Sequence, residues 1–194
     1  MNQLIDFYSI QTTPGSGNFL LPDDRSHSII EEVKGLMKES SDGKLPYQAI
    51  KLYMRSEMEG EVDSYTPEEI SQNVESSVPI DYAAYSPICI VSNSFVATIE
   101  SLGITRFVAH RCLLVHEATN REWEYWFLRY TLPLSSKRKE IKGTESYFLD
   151  CDGISVPYYS SAIKDALTAL QMPSIKFNKR SLGQYNDSFI WLKG

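Results

Sequence analysis

His110, Cys112 and His116 are the residues of this chain whose types and spacing come nearest to chemistry. On an extended backbone they share one face, offering the donors of a zinc site or a Cys112 nucleophile with a histidine base. Two features argue against these readings. In-line strand residues spread their ligands too far for one tetrahedral ion, and no fourth ligand is evident. A thiol nucleophile also needs its base oriented by a third group. The expectation is therefore no metal, no cofactor and no catalytic residue, with a small hydrolase-like enzyme built on this region as the alternative. The cysteines Cys89, Cys112 and Cys151 are odd in number and contain no CxxC, which predicts reduced, unliganded thiols.

Binding is the other chemistry on offer. Glu57, Glu59, Glu61 and Asp63 form an acidic run, read either as a solvated edge or as a negative patch that steers a cationic partner. Trp123, Tyr125, Trp126 and Tyr130 form the densest aromatic cluster. Trp123 and Trp126 point to opposite faces of a strand, so one is exposed unless both faces are covered, and an exposed tryptophan is a natural hot spot. The four carboxylates and the two tryptophans are the candidate partner-binding set. Lys137-Arg138-Lys139 and the group Lys176, Lys179 and Arg180 read as solvated loops, because a net charge of −6 disfavours phosphate backbones and excludes nucleic acid as the expected partner. No apolar run is long enough to span a membrane, and the first residues lack a secretory pattern, so the expected location is the cytoplasm.

These residues need elements to hold them. Length and composition predict one α+β domain over residues 1–194, with a first part at 1–78 and a second at 79–194. Residues 1–11 read as a strand and Thr12 to Asn18 as a loop whose Gly15-Ser16-Gly17 is a turn. Ile29, Ile30, Val33, Leu36 and Met37 mark a helix capped by Ser26 or Ser28. Ala49 to Met54 reads as a strand. Thr66-Pro67-Glu68-Glu69 opens a helix with a capping box, and Asn73 to Tyr85 reads as the internal boundary. Phe107 to Leu132 predicts a hairpin around Ala118-Thr119-Asn120-Arg121, the centre of one largely antiparallel sheet with helices packed on it. Asp152-Gly153 predicts a smaller hairpin, and Ser188 to Leu192 a closing strand.

The second part contains an internal repeat. Residues 87–104, from Pro87 to Ile104, lie over residues 155–172, from Ser155 to Met172, each running from an extended stretch through a serine cap into an amphipathic helix. The caps are Ser92 or Ser94 in one copy and Ser160 or Ser161 in the other. Phe95, Ile99 and Leu102 are expected to share a buried face and to match Ile163, Leu167 and Leu170. Gly103 falls where a left-handed C-cap residue belongs. Each copy then leads to a short strand carrying a phenylalanine, Phe107 or Phe177.

The unit Ile90-Val91-Ser92, Phe95, Ile99, Leu102-Gly103-Ile104 and Phe107 resembles a pattern in bacterial immunity proteins of polymorphic toxin systems. There an extended segment ending in VS leads to a helix, an LG turn and a strand with a terminal Phe. The second copy, from Val156 through Ala166-Leu167 to Ile175-Lys176-Phe177, is similar to the C-terminal half of that family, with Gln171-Met172-Pro173 where a Gly-containing turn is usual. The resemblance covers residues 80–180. It implies a cytoplasmic protein that binds a cognate toxin or effector and occludes it, and it carries over no catalytic residue. The acidic charge of the chain makes a basic toxin surface the expected partner. A structural or adaptor subunit is the third reading.

Overall fold

Ile50, Leu52 and Met54 are buried while Lys51, Tyr53 and Arg55 are not, and the alternation recurs at Cys112, Leu114 and His116, so both stretches are strands with one face in a core. A computed structural model describes residues 4–12, 19–39, 50–60, 64–131, 147–150, 156–185 and 188–191. In chain order the elements begin with β1 (Leu4–Thr12), β2 (Phe19–Pro22), α1 (Asp24–Glu39), β3 (Ile50–Ser56), a 3-10 turn at Glu57–Gly60 and α2 (Pro67–Ser76). Then follow β4 (Val78–Pro79), β5 (Tyr82–Tyr85), β6 (Ile88–Ser92), α3 (Asn93–Ser101), β7 (Phe107–His116) and β8 (Arg121–Tyr130). The chain closes with β9 (Tyr147–Asp150), β10 (Val156–Tyr159), α4 (Ser161–Ala169), β11 (Ile175–Tyr185) and β12 (Ser188–Trp191). This is the expected α+β class with the hairpin of β7 and β8 at its centre. The described strands form two sheets, in the orders β4-β2-β3-β7-β8-β6-β5 and β12-β11-β1-β10-β9. The β2–β4 and β3–β7 pairings are parallel and the others antiparallel.

The seven-stranded sheet is forced to curl. Laid flat, its edges would stand about 29 Å apart at roughly 4.8 Å per strand. Yet the edge strands β4 and β5 are joined only through Ile80 and Asp81, a link that reaches about 11 Å at most. Within the segment from Asn73 to Tyr85, α2 ends at Ser76 and residues 78–85 then clasp the two edges of one sheet. Inside the curl lies α1, whose Ile30, Val33 and Met37 pack with Leu20, Leu52, Leu114 and Phe127, while the Tyr125 hydroxyl of β8 donates to the Pro79 carbonyl of β4. The helix starts earlier than its serines suggest, because the Asp23 carboxylate accepts from the Ser26 N–H at 2.9 Å. Ser26 itself is buried and bonds both backbone groups of Tyr53. The capping box of α2 forms as expected: Thr66 Oγ1 accepts from the Glu69 N–H and the Glu69 carboxylate accepts from the Thr66 N–H.

The repeat extends further than its sequence signature. One constant spacing separates the N-caps Ser92 and Ser160, the helix starts Asn93 and Ser161, the residues Gly103 and Gln171, and the strand starts Phe107 and Ile175. In the first unit β8 lies between β6 and β7, antiparallel to both. In the second unit the strand between β10 and β11, antiparallel to both, is β1 from the other end of the chain. The registers agree independently on this equivalence. Val91 faces Trp126 and Tyr159 faces Tyr8, whereas Phe107 faces Tyr130 and Ile175 faces Thr12, so a single spacing again relates Trp126 to Tyr8 and Tyr130 to Thr12. The N-terminal strand completes the second repeat. Phe107 and Phe177 are not equivalent in this register but sit two residues apart on the same face, and the strands that carry them are long, not short.

Phe95, Ile99, Ile163 and Leu167 are all buried in one cluster, as the repeat requires. Leu102 and Leu170 match each other but are 38% and 42% exposed, which corrects the expectation of burial there. Both are C-cap residues beyond the last helical turn, so their side chains leave the buried stripe. The turn geometry repeats as well: φ is 74° at Gly103 and 52° at Gln171, although the second residue carries a Cβ. The first turn is a full Schellman motif, with Gly103 N–H donating to Glu100 and Ile104 N–H to Ile99, and Gln171 N–H donates likewise to Thr168.

Where the units meet, the hydroxyls of Tyr130 and Tyr159 lie 2.7 Å apart, and the Cys89 thiol lies 3.2 Å from the Tyr82 hydroxyl, all within the cluster that surrounds α3 and α4. Asp81 also joins the units. Its N–H donates to Ser174 Oγ, and the Ser174 hydroxyl donates back to its carboxylate at 3.1 Å. Burial pushes the Asp81 carboxyl above its ordinary range, against the lowering effect of the Ser174 and Ser92 hydrogen bonds.

Two predictions follow from the junction and the turns. Because an L-residue in the left-handed region costs about 1–2 kcal/mol, Gln171→Gly is expected to raise stability and Gly103→Ala to lower it by about that much in urea denaturation. Because the folded-state pKa of Asp81 is raised, its stabilising contribution is complete below the unfolded pKa and is lost as pH rises through the folded one. Asp81→Asn is therefore expected to stabilise the protein at pH ~7, with the gain disappearing near pH ~3; an unchanged difference across that range would contradict the assignment.

Candidate functional site

Alternation does place His110, Cys112 and His116 on one face of β7, and that face is the concave one around α1. Cys112 is wholly buried and His116 is 2% exposed. The two imidazole nitrogens of His116 are engaged, Nδ1 with Thr119 Oγ1 at 2.9 Å and Nε2 at 3.6 Å from the Glu59 carboxylate. His110 is half-buried, and desolvation pushes its imidazole down from the ordinary value. Burial pushes the Cys112 thiol far up and the Cys89 thiol up to about 11, so neither is a thiolate at neutral pH. Both are free cysteines, and Cys151 lies outside the described residues. Among the described residues no group of three or more His, Cys, Asp or Glu is arranged to hold a metal ion.

Of the acidic run Glu57, Glu59, Glu61 and Asp63, the side chain that the structure describes is that of Glu59. Glu59 turns inward, accepting from the Ser56 N–H beside His116, while Ser56 Oγ bonds Asn73 Oδ1 of α2. Glu59 thus ties β3 to the end of β7, and Ser56 ties β3 to α2. Glu57 belongs to the 3-10 turn, and Glu61 and Asp63 lie outside the described residues. Lys176 and Lys179, expected in a loop, are exposed on β11, because the strand that flanks β1 runs through them. Lys137-Arg138-Lys139 lies outside the described residues.

The tryptophans do take opposite faces. Trp123 packs against the core around α1, and Trp126 against the cluster around α3, where its Nε1 donates to Asn93 Oδ1 at 2.9 Å. The helix α3 covers only part of this second face, over Cys89, Val91, Leu128 and Tyr130. Beyond it the same face continues across β3, β7 and β8. Tyr53, Val115 and Glu122 form one row, Lys51, Leu113 and Glu124 the next, and Arg111 and Trp126 a third. Tyr53, Leu113, Val115 and Trp126 are half-buried, whereas Lys51, Arg111, Glu122 and Glu124 are exposed.

Ion pairs lace this face obliquely across the rows. Lys51 Nζ lies 3.0 Å from the Glu122 carboxylate, and the Arg111 guanidinium donates to Glu124 at 2.9 Å. At the edge Arg25 lies over the Tyr53 ring, 4.2 Å from its centroid, and pairs with Glu117 at 2.9 Å. Exposed pairs of this kind contribute little to stability, about 0–1 kcal/mol. They do hold long side chains in place around aromatic and aliphatic surface, lowering the entropy that a docking partner would otherwise have to remove. Trp, Tyr and Arg are also the residue types that dominate binding hot spots. The sequence reading found Trp126 but not Arg111, Lys51, Glu122, Glu124 or Tyr53, since only the register brings these side chains together.

Compared with known proteins, the chain matches no family model, no curated protein and no solved structure. Among the described residues no helix is long and apolar enough to cross a membrane. The burial of the thiols generates a direct test. In the folded protein a thiol reagent at pH ~8 is expected to leave Cys89 and Cys112 unmodified, and denaturant is expected to release both, because reaction needs exposed thiolate. Rapid labelling of native Cys112 would support the reading of a nucleophile there.

Proposed function

We propose that the protein works by occupancy: it binds a partner protein, a cognate toxin or effector, and covers it, as the resemblance of its repeated unit to immunity proteins implies. The observation that carries this reading is the partly open face of the seven-stranded sheet. Trp126, Leu113, Val115 and Tyr53 lie there among exposed cross-strand ion pairs, while the thiol and imidazole best suited to catalysis, Cys112 and His116, are sealed in the core. Occlusion needs no reacting group. It needs a standard-sized interface with a few well-packed anchors, and such interfaces reach the upper limit of non-covalent affinity.

In this reading the protein acts in the cytoplasm of the cell that makes the toxin. Trp126, held by Asn93, is the central anchor, and Arg111 and Glu124 supply polar contacts beside it. The mixed charge of the face favours a partner surface that is itself mixed, in place of the uniformly basic one expected from net charge. Of the acidic run, Glu59 serves the fold, through His116 and Ser56.

The test is direct binding between the purified full-length protein and the product of the neighbouring reading frame, since immunity proteins are generally encoded beside their toxins. Trp126→Ala is expected to weaken the complex roughly 30-fold, as loss of a ~2 kcal/mol hot spot does. Glu122→Gln, at the margin of the face, is expected to change affinity less than about fivefold. A complex indifferent to Trp126→Ala would move the interface elsewhere, and no complex at all would remove the reading.

A further inference from the structure

We infer that two copies of this chain pair face to face through the open side of the seven-stranded sheet, about a two-fold axis that runs along β7. The inference rests on the reading of this face as a docking surface, and adds the occupant that the face takes when the toxin is absent: a second copy of the same chain.

The order of the strands carries the argument. β7 lies between β3 and β8, and its half-buried Leu113 and Val115 form an apolar stripe on this face. Lys51 of β3 stands on one side of Leu113 and Glu124 of β8 on the other. One row further, Tyr53 and Glu122 flank Val115, and Arg25 lies over the Tyr53 ring. The stripe therefore has a cationic margin on the β3 side and an anionic margin on the β8 side.

That layout is self-complementary. In a two-fold pair, a residue that meets a second residue across the interface is met by it in return. Half a turn about β7 lays β7 on β7 and exchanges the margins, so that β3 of each copy covers β8 of the other. Lys51 then meets Glu124 of the second copy and Arg25 meets Glu122, each contact occurring twice, while Leu113 and Val115 meet their own counterparts. Strand directions stay aligned, as in face-to-face sheet packing. Arg111 lies on β7, near the axis, and Glu124 neutralises it at 2.9 Å.

The overall charge selects this face. A net charge of −6 holds copies of the chain apart, so they pair where that repulsion is cancelled. Here it is cancelled, because Arg25, Lys51 and Arg111 are matched by Glu117, Glu122 and Glu124 within each copy. A second copy carries the two-fold pattern by construction. The stripe supplies apolar burial, and the margins fix the register.

Sedimentation of the full-length protein alone tests this. The expected species is a dimer with a roughly micromolar dissociation constant. The side chains of Lys51 and Glu124 are 54% and 43% exposed, so reversing either charge leaves the fold in place. Lys51→Glu sets carboxylate against carboxylate at both symmetric contacts and is expected to weaken self-association about 100-fold, as is Glu124→Lys, which sets ammonium against ammonium. An equimolar mixture of the two variants is expected to form a heterodimer of near wild-type strength, since each reversed margin then meets its opposite. A chain that stays monomeric at about 100 μM overturns the inference, as does a dimer indifferent to both reversals or a mixture that does not pair. Only the chain itself is present, so the outcome is separate from toxin binding. A monomer that still binds the product of the neighbouring reading frame through Trp126 overturns the inference and keeps the toxin, whereas a charge-dependent dimer that binds no such product supports the inference and loses the toxin.

Discussion

Nearly everything in this molecule depends on where β1 goes. A strand at the start of the chain fills the gap between β10 and β11, the place that β8 fills between β6 and β7. Without it β10 and β11 would each have an unpaired backbone edge facing the gap, and α4 would lose the part of its floor that Ile10 supplies beside Ile163 and Leu167. Backbone groups left without partners in a buried position are costly. The ends of the chain are therefore tied together by the same nine-residue pairing that completes the sheet.

The two repeats are then joined through side chains that no single repeat could satisfy. Tyr130 and Tyr159 bring their hydroxyls together from β8 and β10, and Asp81 and Ser174 bond across the same junction. These polar contacts lie beside the apolar stripes of α3 and α4, so the burial that stabilises the helices also desolvates the hydroxyls and makes their mutual bonds obligatory. The raised pKa of Asp81 is one consequence of that packing.

The same arrangement separates exposed sheet surface from core. In the seven-stranded sheet the curl around α1 takes the alternate side chains that include Cys112, Leu114 and His116, and leaves Arg111, Leu113 and Val115 on the opposite face. Among the described residues, part of that opposite face is covered by α3 and part is open. Cys112 and His116 are taken into the core while His110 stays half-buried, and charged strand residues become an ordered surface.

Much of the local structure was determined by the sequence alone. The capping box at Thr66 and Glu69, the hairpin of β7 and β8, the starts of the repeat helices at Ser92 and Ser160 and the opposite orientation of Trp123 and Trp126 rest on interactions between neighbours in the chain, whose spacing is visible without a structure. Tertiary structure decided the rest, because it depends on pairings between distant residues. Asp23 rather than Ser26 starts α1, since Ser26 is drawn into bonds with Tyr53 of β3. Glu59 leaves the acidic run for His116, far along the chain. Leu102 and Leu170 end up exposed because their helices stop one residue short. Lys51 and Glu124 come to flank Leu113 only once β3 has been placed beside β7. No local pattern can reveal that, because strand register is set by long-range backbone hydrogen bonds and by which face each sheet buries.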